Sequence, residues 1–161
     1  MPDWVAHIAA AYIICAVLAF RYRQFNTPNM MLVMVGAVLP DLVKVAMIGD
    51  VLGYSYWDLI WPMHLPVGSL LIAGMASLLF KERKTAFLFF SLGVATHYIL
   101  DLLLYNVSGG IALLFPFYWG TWQLDLFTTE NYYFTLAVLL VALAVYLISY
   151  WSRNRNLNAI K

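Results

Sequence analysis

Five apolar windows, each near the length needed to cross a bilayer and each closed by charges, proline or glycine, dominate this chain. A hydrocarbon core of about 30 Å takes about 20 mostly apolar residues per helix. The windows cover about 4–20, 30–48, 65–80, 85–105 and 132–151. Arg21 and Arg23 end the first, Lys81, Glu82, Arg83 and Lys84 separate the third from the fourth, and Arg153, Arg155 and Lys161 follow the fifth. The expectation is an all-α fold: a polytopic membrane helix bundle of about five transmembrane helices in a single domain over 1–161. At 64% hydrophobic and 11% charged residues, the chain is too apolar for a soluble domain. The same figures exclude a disordered tail and a basic module for nucleic acid, so no nucleic-acid partner is expected. Cys15, the sole cysteine, lies in an apolar run and reads as a small buried hydrophobe, which excludes a disulfide scaffold.

Orientation follows from the excess of Lys and Arg in cytoplasmic loops. With the amino terminus outside and the carboxyl terminus inside, every one of the nine basic residues except Lys44 falls on the inner side. Asp3, Asp50, Asp58, Asp125 and Glu130 then fall outside, together with every tryptophan except Trp151. The Met-Pro-Asp start has no basic region ahead of its apolar run, so the first helix is expected to be retained rather than cleaved. Two outer connections, about 50–63 and 106–131, are long and aromatic. The second is too apolar for a solvated linker and is expected to lie in the headgroup region or fold partly back into the bundle.

Ionisable side chains within spanning helices cost about 2.5–3.5 kcal/mol each for a central Asp on insertion scales, so each needs a partner or a function. His7, Asp41, His97 and Asp101 lie inside the windows, and His64 opens the third. At about 1.5 Å per residue they stand roughly 20, 16, 18, 24 and, for His64, 24 Å above the inner ends of their helices. Five residues from four helices therefore reach one layer, in the outer half of the membrane. His97 and Asp101 share a helix face at i, i+4, as do Asp3 and His7 if the first helix starts early. Imidazole and carboxylate without thiolate suit zinc first, with manganese or iron as alternatives, and exclude a Cys-type structural zinc site.

Each residue also has a plain structural reading. A single His in an apolar helix is commonly a hydrogen-bonded packing residue, and Pro40-Asp41 describes a kink whose carboxylate pairs with Lys44. Lys44 otherwise snorkels to the outer surface or meets an anionic substrate. Asp3 favours the positive end of the first helix. Asp125 and Glu130 read as solvated loop charges, or as groups that close over the layer.

The order of these residues resembles the YdjM-like family of small inner-membrane proteins, described as membrane-bound metal-dependent hydrolases. The resemblance rests on an early His7, Gly36-Ala37-Val38-Leu39-Pro40-Asp41, a lone His64, Thr96-His97-Tyr98-Ile99-Leu100-Asp101, and a late Gly-x-x-Leu-Leu-x-Pro-Phe from Gly110 to Phe117. The series also looks like the ligand order of zinc-dependent phospholipase C and P1-type nucleases. That similarity implies one ion on Asp41, His64, His97 and Asp101, and a second on His7 with a shared Asp101. This chain lacks the later His-x-x-x-Glu of a third site, and Trp61-Pro62-Met63-His64-Leu65-Pro66 replaces the expected Arg-rich stretch and Thr-His-Ser.

The function expected from residues and resemblance together is a metal-dependent hydrolase with one or two divalent ions, cleaving phosphoester bonds of membrane lipid headgroups at the outer face of an inner membrane. Asp41 is the candidate to orient or deprotonate the attacking water. The competing class is non-enzymatic: a structural metal site, a metal-transport path or a proton relay. Transport would need polar groups continuing inward, and the inner half is nearly all apolar, with Cys15, Thr85, Ser91 and Ser149 as small polar candidates.

Overall fold

The computed structural model describes residues 4–105, 109–128 and 132–158. Asp3, Glu130 and Lys161 lie outside that range. Helix α1 covers Trp4–Ala19 and α2 Thr27–Gly36. A 3-10 segment, Leu39–Val45, leads into α3 (Ala46–Val51). The short α4 (Trp57–Ile60) runs into a 3-10 turn, Trp61–His64, before α5 (Pro66–Ser77). The long helices α6 (Arg83–Leu103) and α7 (Tyr132–Asn158) complete an all-helical bundle. Its strand content among the described residues is the two-residue parallel pair β1 (Leu104–Tyr105) and β2 (Phe127–Thr128).

Helix α6 is the strut. It packs against α2, α5 and α1, and buries Ala86, Phe90, Gly93, Val94, His97 and Asp101 along its length. Its tightest neighbour is α2. A Cβ on Gly93 would lie 2.1 Å from the Val33 carbonyl and one on Gly36 would lie 2.3 Å from that of Phe90, so two glycines let the backbones touch. In a membrane, where no water drives apolar helices together, such close backbone packing is a main source of association.

Sequence signals explain the bounds of α2. Asn26 caps its start by accepting from Asn29 N at 3.1 Å, and Pro28 occupies the first turn, where a missing N–H costs nothing. At the other end, Pro40 has no N–H for the Gly36 carbonyl and its ring would clash there, so the α-helix stops at Gly36. The window at 30–48, expected as one helix with a kink at Pro40, is therefore broken after Gly36, and its two parts bend by 44°.

By length and composition, two helices are adequate membrane spans, Arg83–Leu103 and Tyr132–Ser152, or three if the bent pair counts as one. Of the about five transmembrane helices expected, two or three meet this measure. α1, with 16 residues, and α5, with 12, measure only about 24 and 18 Å at the standard rise. α5 starts after the turn imposed by Pro62 and Pro66, and ends at Ser77 rather than near 80. Helix α7 packs chiefly on α1 and turns Leu136, Leu140, Leu143 and Leu147 outward, as a lipid-facing helix should.

The segment 109–128 returns to the bundle. Ile111 and Trp122 exchange two backbone hydrogen bonds of 3.0 Å, and Leu124 and Leu126 donate to the carbonyls of Leu102 and Leu103 at the end of α6. Ile111 enters the core beside Leu39, Val94 and Tyr98. The expected folding back of the second outer connection is thus observed in its described part.

Gly93→Ala is expected to destabilise the bundle by about 1–3 kcal/mol, the usual range for overpacking, seen as a lower melting temperature in detergent. Gly74→Ala is the control. Its Cβ would meet only the Phe87 ring, at 3.8 Å, so its melting temperature should hold or rise.

Candidate functional site

The broken end of α2 supplies the first parts of the site. In a continued helix Asp41 N–H would bond to the Ala37 carbonyl; here it turns to Val38 O at 3.0 Å. The Ala37 carbonyl instead accepts from His97 Nδ1 at 2.8 Å. His97 stands one turn beyond Gly93, so the glycine contact sets the approach that makes this bond. Likewise the Pro40 carbonyl accepts from His64 Nδ1 at 3.1 Å.

His64 is also held through its own backbone. The Tyr98 hydroxyl donates to the His64 carbonyl at 2.9 Å and lies 2.7 Å from Ser69 Oγ, which in turn lies 2.7 Å from the Met63 carbonyl. Gly68 allows this hairpin, since a Cβ there would sit 2.0 Å from Pro62 O. Neither Ser69 nor Tyr98 was singled out by sequence. The available signal was a serine in the first turn of the largely apolar α5 and a tyrosine beside His97.

A carbonyl oxygen only accepts, so the neutral rings of His64 and His97 carry their proton on Nδ1 and present a lone pair at Nε2. Those lone pairs face another acceptor. His97 Nε2 lies 3.2 Å and His64 Nε2 3.5 Å from Asp101 Oδ2, while His7 Nε2 lies 3.4 Å from Asp101 Oδ1. The rings of His7 and His97 stack with centroids 3.9 Å apart. Nε2 of all three imidazoles, both Asp101 oxygens and Asp41 Oδ1 are buried without a hydrogen-bond partner. Buried polar atoms rarely stay unpaired, and six in one cluster are placed so that they could share a cation.

The distances fit that requirement. Ligand atoms about 2.0–2.1 Å from a common tetrahedral ion lie about 3.3–3.4 Å from one another. Two triads, His7–His97–Asp101 and Asp41–His64–His97, each keep their ligand atoms within 4.8 Å of one another. His97 belongs to both, and Asp101 touches all three imidazoles, so a mononuclear or a dinuclear arrangement has ligands to draw on. Oxygen and nitrogen donors match zinc, manganese or iron. Cys15 is buried in a separate cluster with Ala11, Met30 and Val33.

The five residues placed in one layer by helix rise, His7, Asp41, His64, His97 and Asp101, are therefore brought together. Lys44 Nζ pairs with Asp41 Oδ2 at 2.5 Å and is partly exposed. Asp41 thus has one oxygen engaged and the other facing the cluster. Asp125 does not join it; it is exposed, has a left-handed backbone (φ 52), and accepts from Gln123 Nε2 at 3.4 Å. Asp3 and Glu130 fall outside the described residues.

Asp41, His97 and Asp101 are essentially sealed, whereas the side chains of His64 and Lys44 are 11% and 26% exposed. The approach to the cluster is therefore on the His64 and Lys44 side. Tyr98→Phe, which removes the hydroxyl behind His64 and little else, is expected to weaken zinc binding about 10- to 100-fold in competition with a chelating dye. A tyrosine that only packs would leave the titration unchanged.

A family model described as YdjM inner membrane protein matches residues 1–160. No curated protein and no solved structure matches the chain.

Proposed function

The chain belongs to the YdjM inner membrane protein family, and from that premise we propose that it is a metal-dependent hydrolase of phosphoester bonds in membrane lipid headgroups. The observation that carries the reading is the convergence of Nε2 of His7, His64 and His97 with Asp41 Oδ1 and both Asp101 oxygens, all buried and all without a donor. His64, His97 and Asp101 would hold one ion with Asp41 beside it, and His7 with the shared Asp101 a second. A bound divalent ion supplies Lewis-acid stabilisation of phosphoryl charge and makes a water more acidic.

The chain's own groups supply orientation and proton transfer. The Ala37 and Pro40 carbonyls fix two imidazoles with Nε2 inward, which removes the reorganisation that a mobile ligand would require. Asp41 Oδ2 stays on Lys44, leaving Oδ1 to orient the attacking water and accept its proton. The Lys44 cation at the open side favours an anionic phosphodiester over a neutral ester.

In this reading five apolar segments cross the membrane with the amino end outside. The short α5 is continued by the apolar turn residues Leu78, Leu79 and Phe80, and the basic residues gather on the inner side. The site then lies at extracytoplasmic headgroup depth, where a lipid reaches it laterally.

The depth of burial favours a second reading, a closed structural metal site, since structural sites fill their coordination while catalytic ones keep a position open. Elemental analysis of the purified protein is expected to find zinc, manganese or iron, with His64→Ala and His97→Ala each losing most of it. Incubation with a mixed phospholipid panel should release phosphate or headgroup, and Asp41→Asn should lower turnover by about 10²-fold or more while the bundle stays folded. Metal retained in both histidine variants would remove the site. Tight metal with no turnover on any lipid would establish the structural alternative.

A further inference from the structure

The ring planes sort the three imidazoles between two ions. An imidazole nitrogen binds through a lone pair in the plane of its ring, and each Nε2 has one such pair, so each histidine serves one ion. The rings of His7 and His97 are stacked, with centroids 3.9 Å apart and planes 17° from parallel. An ion midway between them would stand about 2 Å off each ring, nearly the whole length of a zinc–nitrogen bond. Neither lone pair points there. His64 and His97 instead meet edge to face, at 80° with centroids 5.5 Å apart, which lets both pairs converge. Asp101 divides in the same way: its Oδ2 faces His97 at 3.2 Å and His64 at 3.5 Å, and its Oδ1 faces His7 at 3.4 Å. His7 and His97, although near enough to form a triad with Asp101, therefore belong to different ions.

The two positions are unequally built. His97 and His64 each donate Nδ1–H to a backbone carbonyl, of Ala37 and of Pro40, so tautomer and ring orientation are set before any ion arrives. His7 is as deeply buried, yet no described group reaches its Nδ1. Binding through Nε2 puts the ring proton on that Nδ1, where it stays buried without an acceptor. Loss of such an outer hydrogen bond weakens metal binding about 10- to 100-fold. Ligand number acts in the same direction. Two imidazoles and Asp101 Oδ2 face one position, with Asp41 Oδ1 beside them, whereas His7 Nε2 and Asp101 Oδ1 alone face the other. We propose that the site fills in two unequal steps: a tight ion at His64, His97 and Asp101, then one at His7 and Asp101 that binds at least about tenfold more weakly. The proposal rests on the metal-dependent reading of the site. Joined to the hydrolase reading, it makes free divalent ion a regulator, because turnover follows the second step.

The test titrates the metal-free full chain in detergent with zinc against a chelating dye, at equilibrium. Two steps of one ion each are expected, with midpoints at least about tenfold apart. His7→Phe, which keeps a stacked ring and removes both nitrogens, should abolish the weaker step and leave the tighter one in place. His7→Ala should do the same, so a poor fit of the phenyl ring is told apart from loss of the ligand. His64→Ala should weaken the tighter step, and Asp3→Asn should move neither. Turnover of a phospholipid panel by the wild type should rise with the weaker step.

Two ions bound with one common midpoint would overturn the proposal, as would a zinc content that neither His7 variant lowers. A shift of the weaker step in Asp3→Asn would overturn its cause, since a carboxylate would then be holding the His7 ring. Two unequal steps with no turnover of any lipid would support the unequal filling and refute the hydrolase reading. A chain that takes up no zinc at all would remove the metal site and the proposal with it.

Discussion

A helix that cannot continue past Gly36 is the constraint on which the rest depends. Pro40 denies the Gly36 carbonyl its donor, Asp41 turns its N–H to Val38, and the chain tightens into a 3-10 segment. The backbone carbonyls of this stretch, normally spent on the helix ladder, become acceptors for two histidines from other helices. One broken segment thereby fixes two ring orientations and delivers Asp41 to the same point. An unbroken helix would have offered His97 no acceptor at Ala37, and would have left the inward side of the ring unspecified.

Bringing those acceptors within reach is the work of α6. Gly93 and Gly36 remove the side chains that would hold the backbones apart, and His97 follows one turn later on the same face. Asp101 follows one turn after that, so the contact surface with α2 and the site are one stripe of a single helix. The price in electrostatics is high: carboxylates and imidazoles are packed together where little water reaches, and apart from Lys44 on Asp41 Oδ2 their facing atoms have no hydrogen-bond partner. Such an arrangement is costly by itself, and positive charge entering it would offset that cost, which is why the cluster supports the proposed cation site.

Much of this was legible before any coordinates. Helix rise alone put His7, Asp41, His64, His97 and Asp101 at one depth, and those five side chains meet. The return of the segment around Ile111 was one of two courses that its apolar composition allowed. What the sequence could not reveal depended on the exact path of the backbone. The 30–48 window looked continuous because hydropathy is blind to a missing N–H, although Pro40 was in plain view as a kink. α5 proved short because Pro62, Gly68 and Ser69 build a turn against its first residues, a contact that involves spacing in three dimensions. Tyr98 and Ser69 were overlooked for a similar reason: hydroxyls gain meaning only once the carbonyls they reach are known. Lys44 offered two readings, and its contact with Asp41 belongs to the plainer one while still leaving it partly open to solvent.

Helix α7 stands apart from all of this. It leans mainly on α1, contributes none of the converging ligands, and leaves its long apolar flank uncovered. During synthesis, then, every helix that carries one of the five converging side chains emerges from the ribosome before α7 does, and their assembly need not await the last helix. One apolar residue can replace another on its outward side without touching the cluster, whereas α2 and α6 meet so closely at Gly36 and Gly93 that a single added carbon would move the backbones apart.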